Sequence, residues 1–184
     1  MSQPDFIQNN HGESYEYISP LQHDLAGKHV LITGAAWQDG VGAATATAYA
    51  RAGASVIAIC DIHDISGDIE LRLLAAAADA GRSKPVIITG HVDISSLPSV
   101  QALHDRFLSA LDSRLDILVN NAAVMEPLGT ILDPDPDVYW QTWEVNIRGL
   151  FNMTRTFLPM LLSTQGLCTV INVASSGALR PLSS

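Results

Sequence analysis

Three glycines, Gly34, Gly40 and Gly42, follow an apolar stretch of the chain and could form a cradle for phosphate groups. Because glycine has no side chain, backbone N–H groups can approach phosphate oxygens closely. The N-terminus of a helix beginning near Gly40, with Val41 as its next residue, favours their negative charge. This pattern predicts a dinucleotide site, although a tight turn between any strand and helix also contains glycines.

An aspartate strengthens this interpretation. Asp61 closes the second apolar stretch, ~20 residues after Gly40, where a carboxylate would accept hydrogen bonds from the adenosine ribose hydroxyls. Alternatively it caps the following helix, for which Asp64 is an equally good candidate. Residues 34–42 contain no Arg or Lys, and both Asp39 and Asp61 would repel a 2′-phosphate. The sequence therefore favours NAD over NADP.

The elements that position these residues alternate along the chain. Short apolar stretches predict strands over 28–33, 55–60, 85–90, 115–119 and 168–173. Helical periodicity predicts helices over 40–53, 64–81, 96–111 and 137–162. The strands are apolar throughout rather than alternating, as in a parallel sheet covered on both faces. The sequence therefore predicts an α/β protein with a Rossmann-type, doubly wound parallel sheet of about five strands in three layers (α/β/α).

Composition limits the classes of partner. A net charge of -9 would repel the phosphates of nucleic acids and of anionic membranes. No apolar run approaches the ~18 residues of a membrane span, and the N-terminus does not resemble a secretory signal. Cys60 and Cys168 lie in apolar stretches, so we expect buried free thiols and a cytoplasmic location. The polar residues 1–24 predict a flexible arm before a domain covering 25–184.

From residue 25 onward, several motifs resemble the short-chain dehydrogenase/reductase family and occur in the same order. They are "DLAGKHVLITGAA", "HVDIS", "LVNNAAV", "WEVNIRGLF" and "INVASSGALRP". The resemblance implies that Asp93 lies by the adenine and that Asn120 and Ala122 belong to the cofactor site. The sequence departs from the family pattern at Ala123, which stands where the family usually has a glycine in the motif written here as "LVNNAAV".

The resemblance also implies a chemistry, namely hydride transfer between a nicotinamide and the carbon of a small alcohol or ketone. In this reading Ser175, with Ser176 as the second choice, hydrogen-bonds the substrate oxygen, and Asn146 holds a water in the proton relay. The family's tyrosine and lysine would fall just past Ser184, and no Tyr-x-x-x-Lys occurs in the 184 residues. The alternative is therefore a catalytically incomplete nucleotide-binding or interaction module.

Two further expectations concern the first loop and the long helix. Five residues separate Gly34 from Gly40, where the family usually has fewer. A longer loop resembles the enoyl-acyl-carrier reductases and gives a weaker alternative function. The later motifs resemble the ordinary branch, so 37–39 is interpreted as a loop extension in which Trp37 either covers the pyrophosphate or packs on the surface. The helix over 137–162 is apolar on more than one side, which predicts cover by the sheet and by a partner subunit in a homo-oligomer.

Overall fold

A computed structural model of the chain describes residues 15–125, 132, 135–163 and 166–175. The strands are β1 (His29–Thr33), β2 (Val56–Asp61), β3 (Val86–His91), β4 (Ile117–Asn120) and β5 (Thr169–Asn172). They form one sheet in the order β3-β2-β1-β4-β5, and every neighbouring pair is parallel. The predicted doubly wound parallel sheet is therefore confirmed. The strand order reverses at β1, which lies between β2 and β4.

Helices cover both faces of this sheet. They are α1 (Val41–Arg51), α2 (Gly67–Asp79), α3 (Leu97–Ala110), α4 (Pro136–Trp143) and α5 (Leu150–Ser163). Successive residues of β1 pack on opposite faces. Leu31 joins the cluster that contains residues of α3 and α5, whereas Val30 and Ile32 join the cluster with α1 and α2. This two-sided burial explains why the strands are apolar throughout rather than at alternate positions.

The long helix predicted over 137–162 is not a single regular α-helix. A π-helical stretch, Glu144–Gly149, separates α4 from α5. It brings Gly149 so close to Ile94 that an added Cβ would lie 2.6 Å from Ile94 Cγ1, so any larger residue would force the Ile94 side chain to shift. Such stretches are rare and frequently occur at functional sites. Here the π-helical stretch carries Asn146, one of the residues singled out from the sequence.

The apolar residues of this helical region are divided between the core and the surface. Phe157 and Leu161 are fully buried, whereas Trp140, Trp143 and Phe151 are exposed. The sheet therefore covers one side of the region, and cover of the other side by a partner subunit stays a prediction. Among the residues described, none of the helices combines the length and apolar character that crossing a membrane requires.

One expectation about the cysteines is wrong. Cys60 is buried in β2, and burial, together with the charge of Asp61, raises the pKa of its thiol well above the usual range. Cys168 is exposed, not buried. It immediately precedes β5, which has a neighbouring strand on one side only among the described residues. An apolar stretch in the sequence therefore did not indicate burial at this edge.

The predicted N-terminal arm is described in part. Residues 1–14 lie outside the described residues, and 15–24 include two short 3-10 helices, Glu16–Ile18 and Pro20–Gln22. Arg82 fixes the end of this segment, because its guanidinium donates a 2.6 Å hydrogen bond to the carbonyl oxygen of His23. The proposed boundary between an arm and a domain at residue 25 stays a prediction.

An ionic cluster around the buried Asp116 joins β1, β4 and β5 where these strands begin, at the opposite end of the sheet from the glycine loop. The Asp116 side chain is fully buried and accepts hydrogen bonds from the His29 N–H at 2.9 Å and from Arg114 Nε and Nη2, both at 3.1 Å. Lys28 Nζ lies 3.6 Å away. Burial alone would raise the pKa of Asp116, but these hydrogen bonds and positive charges hold it below its ordinary value.

Replacing Asp116 by Ala should lower the free energy of unfolding at neutral pH by about 1–3 kcal/mol, because the His29 N–H loses its acceptor. The lowered pKa means that the ionised carboxylate stabilises the fold above pH ~4, and that this contribution is lost as the pH falls through the folded-state pKa. Urea unfolding at a series of pH values should therefore show the parent and the variant converging in acid. The control, Asp105→Ala, removes an exposed carboxylate and should change stability by no more than ~0.5 kcal/mol. Equal effects of the two substitutions would contradict the assigned role of Asp116.

Candidate functional site

The loop between β1 and α1 packs backbone against backbone. Gly34 has a φ of +72°, and a Cβ added to it would lie 2.6 Å from Ala122 Cα. A Cβ added to Gly42 would lie 2.2 Å from the carbonyl oxygen of Gly34. Neither position has room for a side chain, so the glycines at 34 and 42 are required by the fold. Gly40 is the N-cap of α1, and its N–H donates to the Trp37 carbonyl at 2.9 Å.

Two residues that the sequence analysis did not single out hold this loop against the segment after β4. The Thr33 hydroxyl accepts hydrogen bonds from the N–H groups of Asn121 at 3.0 Å and Ala122 at 2.9 Å. The Asn121 side-chain amide donates to the carbonyls of Thr33 and Gly34, both at 2.9 Å. Their only signals in the sequence were a threonine before the first glycine and the second member of an Asn-Asn pair.

Asp61 lies at the end of β2 and is only 7% exposed. Its Oδ2 accepts a hydrogen bond from the Ala36 N–H at 2.9 Å, and its Oδ1 accepts one from the His63 N–H at 3.0 Å. The alternative role as a helix cap does not apply to Asp61 or Asp64, because Ser66 is the N-cap of α2 and its hydroxyl accepts from the Asp68 N–H. The carboxylate of Asp61 instead fixes the glycine-bearing loop.

A cleft of about 400 Å³ opens beyond the carboxyl ends of β1, β2, β3 and β4. Its lining includes four of the residues expected at the cofactor site, namely Gly34, Asp61, Asp93 and Ala122. It also includes Trp37 and Asn121. In doubly wound sheets, ligands bind at this edge, where the strand order reverses. The structure therefore brings these residues together in one cleft.

The other expected cofactor residues do not line this cleft. Gly40, Val41 and Gly42 lie at the start of α1, next to the loop. Asn120 is buried, and its amide nitrogen donates to Thr154 Oγ1 and Asn172 Oδ1, both at 2.9 Å. The side chain of Asn120 therefore joins β4 to β5 and α5.

Asp93 lies in the cleft wall after β3. Its Oδ1 accepts hydrogen bonds from the N–H and the hydroxyl of Ser95, at 2.9 and 2.6 Å. Its own N–H donates to the hydroxyl of Ser99 at 3.1 Å. Nearby, the buried amide of Asn152 donates to the carbonyls of Ile94 and Ser95. This segment is therefore held from both α3 and α5.

The two expected catalytic residues occupy different elements. Asn146 forms a pair of hydrogen bonds with the backbone of Val124: its Oδ1 accepts from the N–H at 2.9 Å, and its Nδ2 donates to the carbonyl at 2.8 Å. Asn146 thereby fixes the π-helical stretch to the wall of the cleft. Ser175 is exposed and follows β5, three positions after Asn172. Ser176 lies outside the described residues.

Comparisons with known proteins define the class. A family model described as short chain dehydrogenase matches residues 28–184. The short chain dehydrogenase andI of Emericella variicolor is 34% identical over 97% of this chain and 59% of its own length. The short chain dehydrogenase pigC of Monascus ruber is 37% identical over 95% of this chain and 56% of its own length. The chain thus spans somewhat more than half the length of these relatives.

Solved structures agree with this assignment. The NADH-dependent reductase A1-R′ in complex with NAD has a TM-score of 0.69 and 30% identity, covering 84% of this chain and 62% of that protein. A short chain dehydrogenase from Mycobacterium paratuberculosis bound to NAD has a TM-score of 0.69 and 27% identity, covering 86% and 60%. The chain belongs to the short chain dehydrogenase family, whose members are oxidoreductases, and the resemblance seen in its motifs is confirmed.

The close approach of Gly42 to Gly34 gives a test of the loop. Gly42→Ala should lower the free energy of unfolding by at least ~1–3 kcal/mol, because the new methyl group meets a backbone carbonyl that cannot move without displacing Asn121. Gly67→Ala is the matched control, since a Cβ there meets nothing within 4 Å. The control should be neutral or up to ~1 kcal/mol stabilising. Thermal unfolding of both variants measures the difference, and a Gly42→Ala protein as stable as the parent would contradict the packing described.

Proposed function

We propose that this chain provides the dinucleotide site of an NAD(P)-dependent oxidoreductase that transfers a hydride between a nicotinamide and a small alcohol or carbonyl substrate. The observation that carries the proposal is the meeting of the glycine loop with a buried carboxylate, Asp61, in one cleft at the switch point of the sheet. The two solved relatives described as bound to NAD support it.

The residues present fit such a cofactor. The glycines at 34 and 42 let the loop pack backbone against backbone, where a Cβ would collide, and this packing places Gly34 in the cleft wall. The helix α1 begins at Val41, directly after this loop, and the N–H groups of its first turn have no intrahelical acceptors, which favours a pyrophosphate beside them. Bound there, the dinucleotide would supply or accept the hydride.

We propose NAD rather than NADP as the preferred cofactor. Each carboxylate oxygen of Asp61 accepts one backbone N–H and keeps a further lone pair for a ribose hydroxyl. A 2′-phosphate in the same place would meet the negative charge of this carboxylate in a poorly solvated position, which is unfavourable.

Substrate chemistry is proposed for two side chains. Ser175 would donate a hydrogen bond to the substrate oxygen. The Oδ1 and Nδ2 atoms of Asn146 each make one hydrogen bond with Val124, so its second amide N–H and the second lone pair of Oδ1 are the groups with which it would hold a water. In this arrangement the hydrogen bonds to Val124 position Asn146 relative to the cleft.

The proposal extends to location and assembly. The exposed aromatic side chains of Trp140, Trp143 and Phe151 support a homo-oligomer, because apolar surface of this kind is typical of an interface between subunits. The free thiols of Cys60 and Cys168 support a reducing, cytoplasmic location.

Isothermal titration of the protein with NADH and NADPH tests the cofactor proposal. We expect tighter binding of NADH by the parent, and Asp61→Ala should weaken NADH about tenfold or more, because a charge-assisted hydrogen bond to the ribose is lost. The affinity for NADPH should fall less than the affinity for NADH, so the difference between the two Kd values narrows. The control is Asp64→Ala, which removes an exposed carboxylate three residues after Asp61. This substitution should leave NADH binding unchanged. Equal or tighter binding of NADPH by the parent would contradict the preference.

A further inference from the structure

The extra length of the first loop places an aromatic ring at the cleft. Trp37 follows Ala36, whose N–H is held by Asp61 Oδ2, and the Trp37 carbonyl accepts the Gly40 N–H at 2.9 Å. The loop is therefore anchored on both sides of this residue. The Trp37 side chain is 67% exposed and still lines the cleft. Its position is set by the backbone of the loop rather than by burial.

The Trp37 ring leans on a second ring from the segment after β2. The Trp37 and His63 ring centroids lie 5.7 Å apart at an interplanar angle of 68°, an edge-to-face contact. The His63 N–H donates to Asp61 Oδ1 at 3.0 Å. One carboxylate thus fixes the backbone of both ring-bearing segments, and the two rings in contact border the cleft beside Asp61.

His63 also borders a second, smaller cleft. That cleft has a volume of about 320 Å³ and includes His91 and Arg106 in its lining. The Arg106 guanidinium is held in place by a hydrogen bond to the carbonyl of Thr89. His63 lines both clefts, so a path from the ribose end of the first cleft to Arg106 and His91 would pass this residue. Asp64 also lines this smaller cleft and partly offsets its positive charge.

We propose that the Trp37–His63 ring pair is a selectivity wall that excludes the 2′-phosphate of NADP from the ribose end of the cleft. The wall acts in two ways: the rings occupy space beside Asp61, and His63, against which Trp37 packs, lies between the cofactor cleft and the smaller cleft with Arg106 and His91. This inference rests on the proposed nicotinamide dinucleotide site and adds to it a residue pair that determines which form of the cofactor binds. Charge repulsion by Asp61 and steric exclusion by the rings then act on the same phosphate.

Titration of Trp37→Ala with NADH and NADPH tests the wall. The ratio of the Kd for NADPH to the Kd for NADH should fall about fivefold, the order of one aromatic contact, and the Kd for NADPH itself should decrease. Trp37→Phe keeps a ring in place and should retain the parent ratio. Trp140→Ala is the matched control, because Trp140 is similarly exposed (62%), makes an edge-to-face contact with Tyr139 and does not line the cleft.

Two smaller probes isolate the adenosine end. Adenosine 2′,5′-bisphosphate and adenosine 5′-monophosphate differ in the 2′-phosphate and lack the nicotinamide. The bisphosphate should gain affinity in Trp37→Ala, and also in His63→Ala, which opens the same boundary from its other side. The second substitution keeps the test decisive if the first disturbs folding, which circular dichroism would detect.

The outcomes separate this inference from the function on which it rests. A parent that binds neither NADH nor NADPH contradicts the proposed dinucleotide site itself. A parent that prefers NADH, with a ratio unchanged in both Trp37→Ala and His63→Ala, overturns the wall and leaves the dinucleotide site standing. Equal weakening of both nucleotides in Trp37→Ala also overturns it, because Trp37 would then be an unselective cover over the cofactor.

Discussion

The contact between two backbone segments, the loop after β1 and the segment after β4, sets the geometry of the cleft. Gly34 approaches Ala122 so closely that no Cβ fits between them, and the amide of Asn121 holds the two segments together through two carbonyls. Backbone packing of this kind leaves little freedom for adjustment, since the atoms in contact belong to the main chain or to an amide group that makes two hydrogen bonds. The part of the cleft wall formed by these two segments is therefore closely packed.

Different polar groups lie at the two ends of the strands. At the edge where the strands begin, Asp116 collects hydrogen bonds from β1 and from Arg114, and its backbone carbonyl accepts the Thr169 N–H at the start of β5. This cluster joins three strands and lies away from the cleft. At the carboxyl ends of the strands, the polar groups line the cleft or form hydrogen bonds between the segments that surround it. The ionic cluster around Asp116 and the cleft thus lie at opposite ends of the same strands.

Asp61 connects the loop to the proposed choice of cofactor. Its two oxygens hold the N–H groups of Ala36 and His63, and these residues place the Trp37 and His63 rings at the cleft. A single carboxylate in a buried position therefore shapes the surface around it as well as supplying charge. The longer loop has a structural consequence: it allows Trp37 to contact His63 while Gly34 and Gly42 remain packed against the backbone.

The amino-acid sequence by itself determined the order and type of the elements, because two-sided burial of parallel strands leaves a local record in apolar stretches such as 28–33 and 55–60. It also singled out Gly34 and Asp61, which the structure places in one cleft, because their types and their positions at the ends of strands are local signals as well. The tertiary structure alone decided the exposure of Cys168, the break in the long helix at Glu144–Gly149, and the pairing of Asn121 with Thr33. These features depend on contacts between segments far apart in the chain or on which strand lies at an edge, and neither leaves a periodic pattern in the sequence that a reader can follow.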